Sequence, residues 1–163
     1  MDRLWSPWRY DYIKSGSTEK SGPPSCVFCA MLAAEADDES KYIVHRAAHN
    51  FVVLNIYPYT SGHLMVVPFE HTADLPALAK ETADELTDLS RRAVAILGEV
   101  YRPHGFNLGM NLGQAAGAGV SDHLHLHVLP RWSGDANFMT TVGETRVIPE
   151  DLRTTYDKLR GRF

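Results

Sequence analysis

The sequence predicts an α+β fold in which an antiparallel sheet carries one long helix and a second helix near the C-terminus. Three observations lead there. Short runs rich in β-branched and aromatic residues occupy 42–45, 50–56 and 63–68, divided only by turns. An apolar stripe at helical spacing runs from Leu86 to Val100. Residues 123–128, His-Leu-His-Leu-His-Val, alternate polar and apolar without a break, the period of a half-buried strand.

A chain of 163 residues suits a single domain that buries a core without staples. Its 44% hydrophobic and 22% charged content is that of an ordinary globular protein. The net charge of -4 and the scattered basic residues argue against a nucleic-acid partner, while leaving room for a local phosphate pocket. No apolar run nears the roughly 20 residues that span a bilayer, and the N-terminus lacks a signal-peptide core, so no membrane partner and a cytoplasmic location are expected.

Taken in order, residues 1–13 form an aromatic arm with Trp5, Trp8, Tyr10 and Tyr12, read as packing on its own or a partner's core. Residues 15–25 are a Gly/Ser/Pro-rich linker, so arm and linker together account for 1–25. Cys26-Val-Phe-Cys29 opens a short helical pattern through Ala34, followed by the acidic run 35–39. A CxxC in a reducing compartment is a metal half-site or a redox pair; the redox version wants a strand before the helix, and a linker stands there instead, which favours metal.

The strands at 42–45 and 50–56 flank a polar turn, where His45 and His49 read as solvated surface residues. Residues 57–62 are turn chemistry ahead of the strand at 63–68. Thr82-Ala-Asp-Glu85 is a capping box that opens the longest helix, with Leu86, Leu89, Ala93, Ile96, Leu97 and Val100 on its apolar face and Pro103-His104-Gly105 at its end. His104 reads as structural. Residues 106–111 alternate as a strand, and the glycine-rich 113–120 leads to the histidines. That loop is no Walker loop, since neither Gly-Lys-Ser/Thr nor a helix follows; alone it is a turn, and beside the histidines it is a phosphate cradle. Pro149-Glu-Asp-Leu begins a last amphipathic helix with Pro near its first position, whose Leu152, Tyr156 and Leu159 cover the sheet or a partner chain.

Alternation places the imidazoles of His123, His125 and His127 on one strand face. Backbones of the first and last are then roughly 13 Å apart, while each ligating nitrogen must lie about 2 Å from an ion. The roles must be divided, with at most two neighbouring histidines on one ion.

His-Leu-His-Leu-His-Val-Leu resembles the histidine triad superfamily, whose signature is His-x-His-x-His followed by two apolar residues. Pro130-Arg131-Trp132, together with the RPHGFNLGMNLG string, GDANF and the LWSPWR arm, is similar to its fragile-histidine-triad and bacterial diadenosine tetraphosphate hydrolase and phosphorylase branch. The resemblance covers residues 26–139 and leaves 140–163 as a C-terminal extension whose helix packs on the same domain. It implies that His125 is the nucleophile, that His127 hydrogen-bonds the α-phosphate or leaving group, and that His63 steadies the cluster. It implies Asn55 at the ribose hydroxyls, Asn111 and the amides of Gly117, Ala118 and Gly119 on phosphate oxygens, and Trp132 stacked on an adenine. Cys26, Cys29, His71 and His123 match a tetrahedral, structural Zn²⁺ site.

The expected activity is cleavage of a dinucleoside polyphosphate at the α-phosphate through a nucleotidyl-histidine, with water or phosphate as acceptor, by a homodimer. The alternatives are an adenosine phosphoramidase and a nucleotide-binding regulatory protein with little activity. Where the family's phosphoramidase branch carries Gly-Gln-Ser before the triad and its fragile-histidine-triad branch Gly-Gln-Thr, this chain has Gly117-Ala118-Gly119-Val120, so neither side chain is available. The route requires no catalytic metal, and a polyphosphate can bring Mg²⁺ with it.

Overall fold

The computed structural model describes residues 26–145 and 147–163; the arm and linker expected over 1–25 lie outside the described residues. The elements are α1 (Val27–Ala33), β1 (Ile43–Arg46), β2 (Asn50–Leu54), β3 (Leu64–Pro68), α2 (Lys80–Tyr101), β4 (Gly105–Gly109), a 3₁₀ turn (Gln114–Ala116), β5 (Leu126–Arg131), α3 (Phe138–Thr141) and α4 (Leu152–Leu159). The five strands lie in the order β1-β2-β3-β5-β4, and every neighbouring pair is antiparallel. The first three form a meander; α2 then carries the chain across the sheet, so that β5 can insert between β3 and β4.

Every residue of β2 and β3 is buried, because both faces of the sheet are covered. Val52, Leu54, Leu64, Val66 and Val128 face α2 through Leu86, Leu89, Ala93, Ile96 and Leu97, and α4 adds Tyr156 and Leu159 to the same core. The alternate residues Phe51, Val53, Met65 and Val67 pack with Cys26 and Phe28 of the CxxC segment. Burying each large apolar side chain contributes about 1.5–3 kcal/mol, so the period-2 pattern of these strands specifies both layers at once.

The capping box expected at Thr82 does not form. The helix starts at Lys80, Ala79 supplies no side-chain cap, and Thr82 is buried within the first turns. Glu85 is instead taken by the β1–β2 turn, accepting from the Ala48 and His49 amides at 3.0 and 2.8 Å and from Asn50 Nδ2 at 2.8 Å. Tertiary donors outcompete the local cap, and the carboxylate pins sheet to helix. At the other end Arg102 adopts the left-handed conformation (φ 46°) and donates to Gly98 O, and Pro103 follows. Pro149 likewise stands outside the last helix: Asp151 is its N-cap, accepting from Thr154 N at 2.7 Å. That helix covers its own chain, tied by Arg160 to Glu39 of the acidic run at 3.1 Å. His45, expected in solvent, is half-buried and stacks on Phe163 with ring centroids 5.6 Å apart.

Gly62, at φ +76°, makes the turn into β3. A Cβ there would lie 3.0 Å from Tyr101 Cε2 and 3.1 Å from Leu97 Cδ2, so both the backbone and the space demand glycine. Among the described residues no helix is long and apolar enough to cross a membrane.

Candidate active site and metal centre

The strand expected from His123 onward begins only at Leu126: Val66, Met65 and Leu64 sit opposite Leu126, His127 and Val128, whereas Val67 and Pro68 of β3 pair with β2 alone. His123 and His125 belong to an extended approach segment, anchored where Leu124 N donates to Thr72 O at 2.7 Å. The three imidazoles are thereby split between two sites.

The first contains His63, His125 and His127, all buried. Its proton arrangement follows from unambiguous backbone groups. The Tyr59 amide donates to His63 Nδ1 at 3.1 Å, so the proton of His63 is on Nε2. That Nε2–H donates to His127 Nδ1 at 2.9 Å, which leaves His127 with its own proton on Nε2. His125 Nδ1 lies 2.9 Å from the carbonyl oxygen of His123, an acceptor only, so Nδ1 carries the proton and Nε2 is bare. The fold therefore presents a lone pair on His125 beside an N–H donor on His127, with ring centroids 4.9 Å apart at 81°. Burial, reinforced by His127 and His125, pushes His63 down to about 3. Burial and His125 push His127 down to about 4. Burial also lowers His125, against the pull of the His123 carbonyl. All three are neutral at pH 7.

The second site gathers Cys26, Cys29, His71 and His123, whose candidate ligand atoms all lie within 4.8 Å of one another. A tetrahedral zinc with bonds of about 2.3 Å to sulfur and about 2.05 Å to nitrogen has edges of about 3.3 Å (N···N) and about 3.6 Å (S···N). His71 Nδ1 and His123 Nδ1 are 3.3 Å apart, and the Cys–His distances are 3.2, 3.4 and 3.7 Å. His123 Nε2 donates to Pro68 O at 2.9 Å, which strips the proton from Nδ1 and aims its lone pair at the thiols, as an outer-shell acceptor does for a metal-bound histidine. The residues fit a four-coordinate metal ion.

Comparison with known proteins then decides the family. The HIT domain family matches residues 37–134.

The chain belongs to the HIT family.

A protein of Mycobacterium tuberculosis named AP-4-A phosphorylase is 41% identical over 159 residues, covering 95% of this chain and 80% of its own length. The crystal structure of a zinc-bound histidine triad family protein from Mycobacterium smegmatis superposes with a TM-score of 0.68 at 32% identity, covering 86% of this chain and 94% of that one. A HIT family protein from Bacillus anthracis superposes with a TM-score of 0.61 at 31% identity over 68% of this chain and 75% of that one.

In this HIT protein Asn111 and His127 line one cleft of about 210 Å³, floored by β4 and β5. The amide expected at the ribose already braces the histidines: Asn55 Oδ1 accepts from Tyr57 N at 2.9 Å, and Nδ2 lies 3.4 Å from His63 Nδ1. The expected amide cradle is smaller than the sequence suggests. Gly113 and Gly117, both at positive φ, curl the loop into a 3₁₀ turn in which Gly117 N donates to Gln114 O and Ala118 N to Gly113 O. Of the three amides only that of Gly119 is outside this turn's bonds. Trp132 is half-buried, edge-on to Tyr101 at 6.4 Å. Its position is set by Arg131, which holds Asp135 through Nε and Nη2 at 2.6 and 2.8 Å, while Trp132 N donates to the same carboxylate.

Two contributors were missed in the sequence. Phe28, inside the CxxC, packs 5.3 Å from both His123 and His125, joining the two sites. Tyr59, read as part of a turn, sets the tautomer of His63 through its amide and lays its ring 4.7 Å from His63 and 5.9 Å from His127. An aromatic two residues after another across a proline was the available signal. His104 accepts from Ser133 N at 2.9 Å, in keeping with its structural reading.

Proposed function

We propose that this chain cleaves dinucleoside polyphosphates at an α-phosphorus and carries the nucleotidyl group on His125. The observation that carries the reading is the bare Nε2 of a neutral, buried His125 whose Nδ1–H is held by the His123 carbonyl. The M. tuberculosis relative's name supports the substrate class. Nε2 attacks phosphorus, the bond from phosphorus to the bridging oxygen breaks, and the shortened polyphosphate leaves as an anion hydrogen-bonded by His127 Nε2–H. Positive charge growing on the His125 ring is met by the His123 carbonyl. An acceptor oxygen then replaces Nε2 at phosphorus and returns the electron pair to the imidazole; when the acceptor is water, its proton passes to solvent. Asn111 and the Gly119 amide serve phosphate oxygens, and Trp132 stacks on an adenine.

Zinc is the ion proposed for Cys26, Cys29, His71 and His123. Four protein ligands leave no open position, so its contribution is structural. The M. smegmatis neighbour's bound zinc supports this assignment. A homodimer completes the reading, supported by β4 at an open sheet edge with Leu108 exposed, and sedimentation of the purified chain tests it.

The deciding experiment incubates the protein with diadenosine tetraphosphate, with and without inorganic phosphate. ADP appearing with ATP identifies phosphate as acceptor, and AMP with ATP identifies water. Faster turnover of adenosine phosphoramidate points to the phosphoramidase reading, and no nucleotide product from either substrate overturns the assignment.

A further inference from the structure

The hydrogen bond between His63 and His127 is the joint on which the donor of the proposed reaction turns. We infer that the ring of Tyr59 is a positioning element for that donor: it shields the His63–His127 bond from the water of the cleft and so keeps the proton of His127 on Nε2. This rests on the function proposed above, and it gives the Tyr59 side chain a task separate from that of its amide.

A shield is needed because the bond decides which nitrogen of His127 is protonated. His63 Nε2–H donates to His127 Nδ1 at 2.9 Å, and His63 can only donate there, since its own Nδ1 is occupied by the Tyr59 amide. Water in the same place accepts as readily as it donates. A wet His127 would therefore exchange its proton between the two nitrogens and present substrate with a bare Nε2 part of the time, which repels a leaving oxygen instead of binding it.

The Tyr59 ring closes a triangle with the two imidazoles. Its centroid lies 4.7 Å from that of His63 and 5.9 Å from that of His127, while the imidazoles are 5.0 Å apart. His127 and Tyr59 both line the cleft of about 210 Å³, yet His127 is only 8% exposed and His63 only 1%. Burial is also the largest cause of the low values of both histidines.

The loop under the ring is fixed on His63 itself. Asn55 N donates to His63 O at 3.0 Å, Asn55 Oδ1 accepts from Tyr57 N at 2.9 Å, and Tyr59 N reaches His63 Nδ1 at 3.1 Å. Pro58 locks φ between the last two. The ring is thus held against the pair by its own backbone, before any substrate arrives.

Side-chain substitutions leave the amide in place and isolate the ring. Steady-state kinetics with diadenosine tetraphosphate compare Tyr59→Ala and Tyr59→Phe with the unaltered enzyme. Tyr59→Ala lowers kcat roughly 10-fold, the scale for groups that orient a functional histidine, with KM within about twofold. Tyr59→Phe keeps the ring and restores kcat. Nuclear magnetic resonance of the imidazole nitrogens, recorded without substrate at about pH 7, shows His127 as a single Nε2–H tautomer in the unaltered and Tyr59→Phe proteins and as an averaged mixture in Tyr59→Ala. Tyr59→Leu moves both readouts in the same direction by less, and it serves if the alanine variant does not fold. A loss confined to KM would make the ring a substrate contact and overturn the inference. So would unchanged kcat and tautomer in folded Tyr59→Ala, or a Tyr59→Phe protein as impaired as Tyr59→Ala. Failure of the proposed reaction shows separately, as absence of product from the unaltered enzyme, and leaves the tautomer readable.

Discussion

The Nδ1–H of His125 donates across 2.9 Å to the backbone carbonyl of His123, the residue whose own ring faces the two cysteines. One short extended segment therefore presents a metal-type ligand with its side chain and orients His125, the proposed nucleophile, with its main chain. His125→Ala is expected to lower kcat by roughly 10³-fold or more while leaving nucleotide affinity in place. Steady-state kinetics beside calorimetry check this; full turnover by the variant removes the nucleophile assignment.

The relay from the Tyr59 amide through His63 to His127 makes a graded prediction. His127→Ala removes the donor itself and costs roughly 10²- to 10³-fold in kcat. His63→Ala leaves the donor but frees its tautomer, for a loss on the order of 10- to 100-fold, the range for groups that orient a functional histidine. Equal effects on KM and none on kcat would contradict the ordering.

Acid should destabilise the protein early. His63 and His127 are held near 3 and 4 in the folded chain and return to about 6.5 when unfolded. Above about pH 6.5 both states are neutral and stability is flat. Below it the unfolded state binds protons that the folded state refuses, so stability falls with pH until about pH 4 for His127 and about pH 3 for His63, by up to about 1.4 kcal/mol per unit for each histidine. Urea titrations at pH 7, 6 and 5 measure the slope, and His63→Asn should flatten it. A slope unchanged by that substitution would mean other groups are responsible.

Metal removal should act on stability before chemistry. At free zinc about a hundredfold above Kd, binding adds about 2.7 kcal/mol, so chelation lowers Tm by roughly 5–11 °C. Cys26→Ser should bind less than one equivalent and melt early even with zinc added. Calorimetric melts with metal analysis decide it; turnover that vanishes in chelated protein of unchanged Tm would argue for a catalytic ion instead.

Glu85 offers a control away from the chemistry. Its carboxylate accepts from the turn amides of Ala48 and His49 and from the side chain of buried Asn50. Glu85→Ala is expected to cost about 1–3 kcal/mol of stability, with kcat unchanged at temperatures where the variant is folded. Loss of kcat in folded protein would show that the sheet-to-helix pin also shapes the site.

Much of this was legible in the chain itself. The unbroken β-branched and apolar runs at 50–54 and 64–68 and the stripe from Leu86 to Leu97 specified the elements, because burial of both faces of a strand, or of one face of a helix, is written in local residue type and spacing. The reach of a strand was enough to separate the triad's roles, and the histidine and cysteine spacing pointed to a family. What tertiary structure alone decided was where each proton and each capping group goes. Glu85 left its capping box for a turn distant in sequence, the glycine loop spent two amides on itself, and the strand of the histidines began three residues late. Tautomers, cap partners and ladder ends depend on which donor or acceptor arrives from elsewhere in the chain, and no local pattern of residue types encodes that arrival.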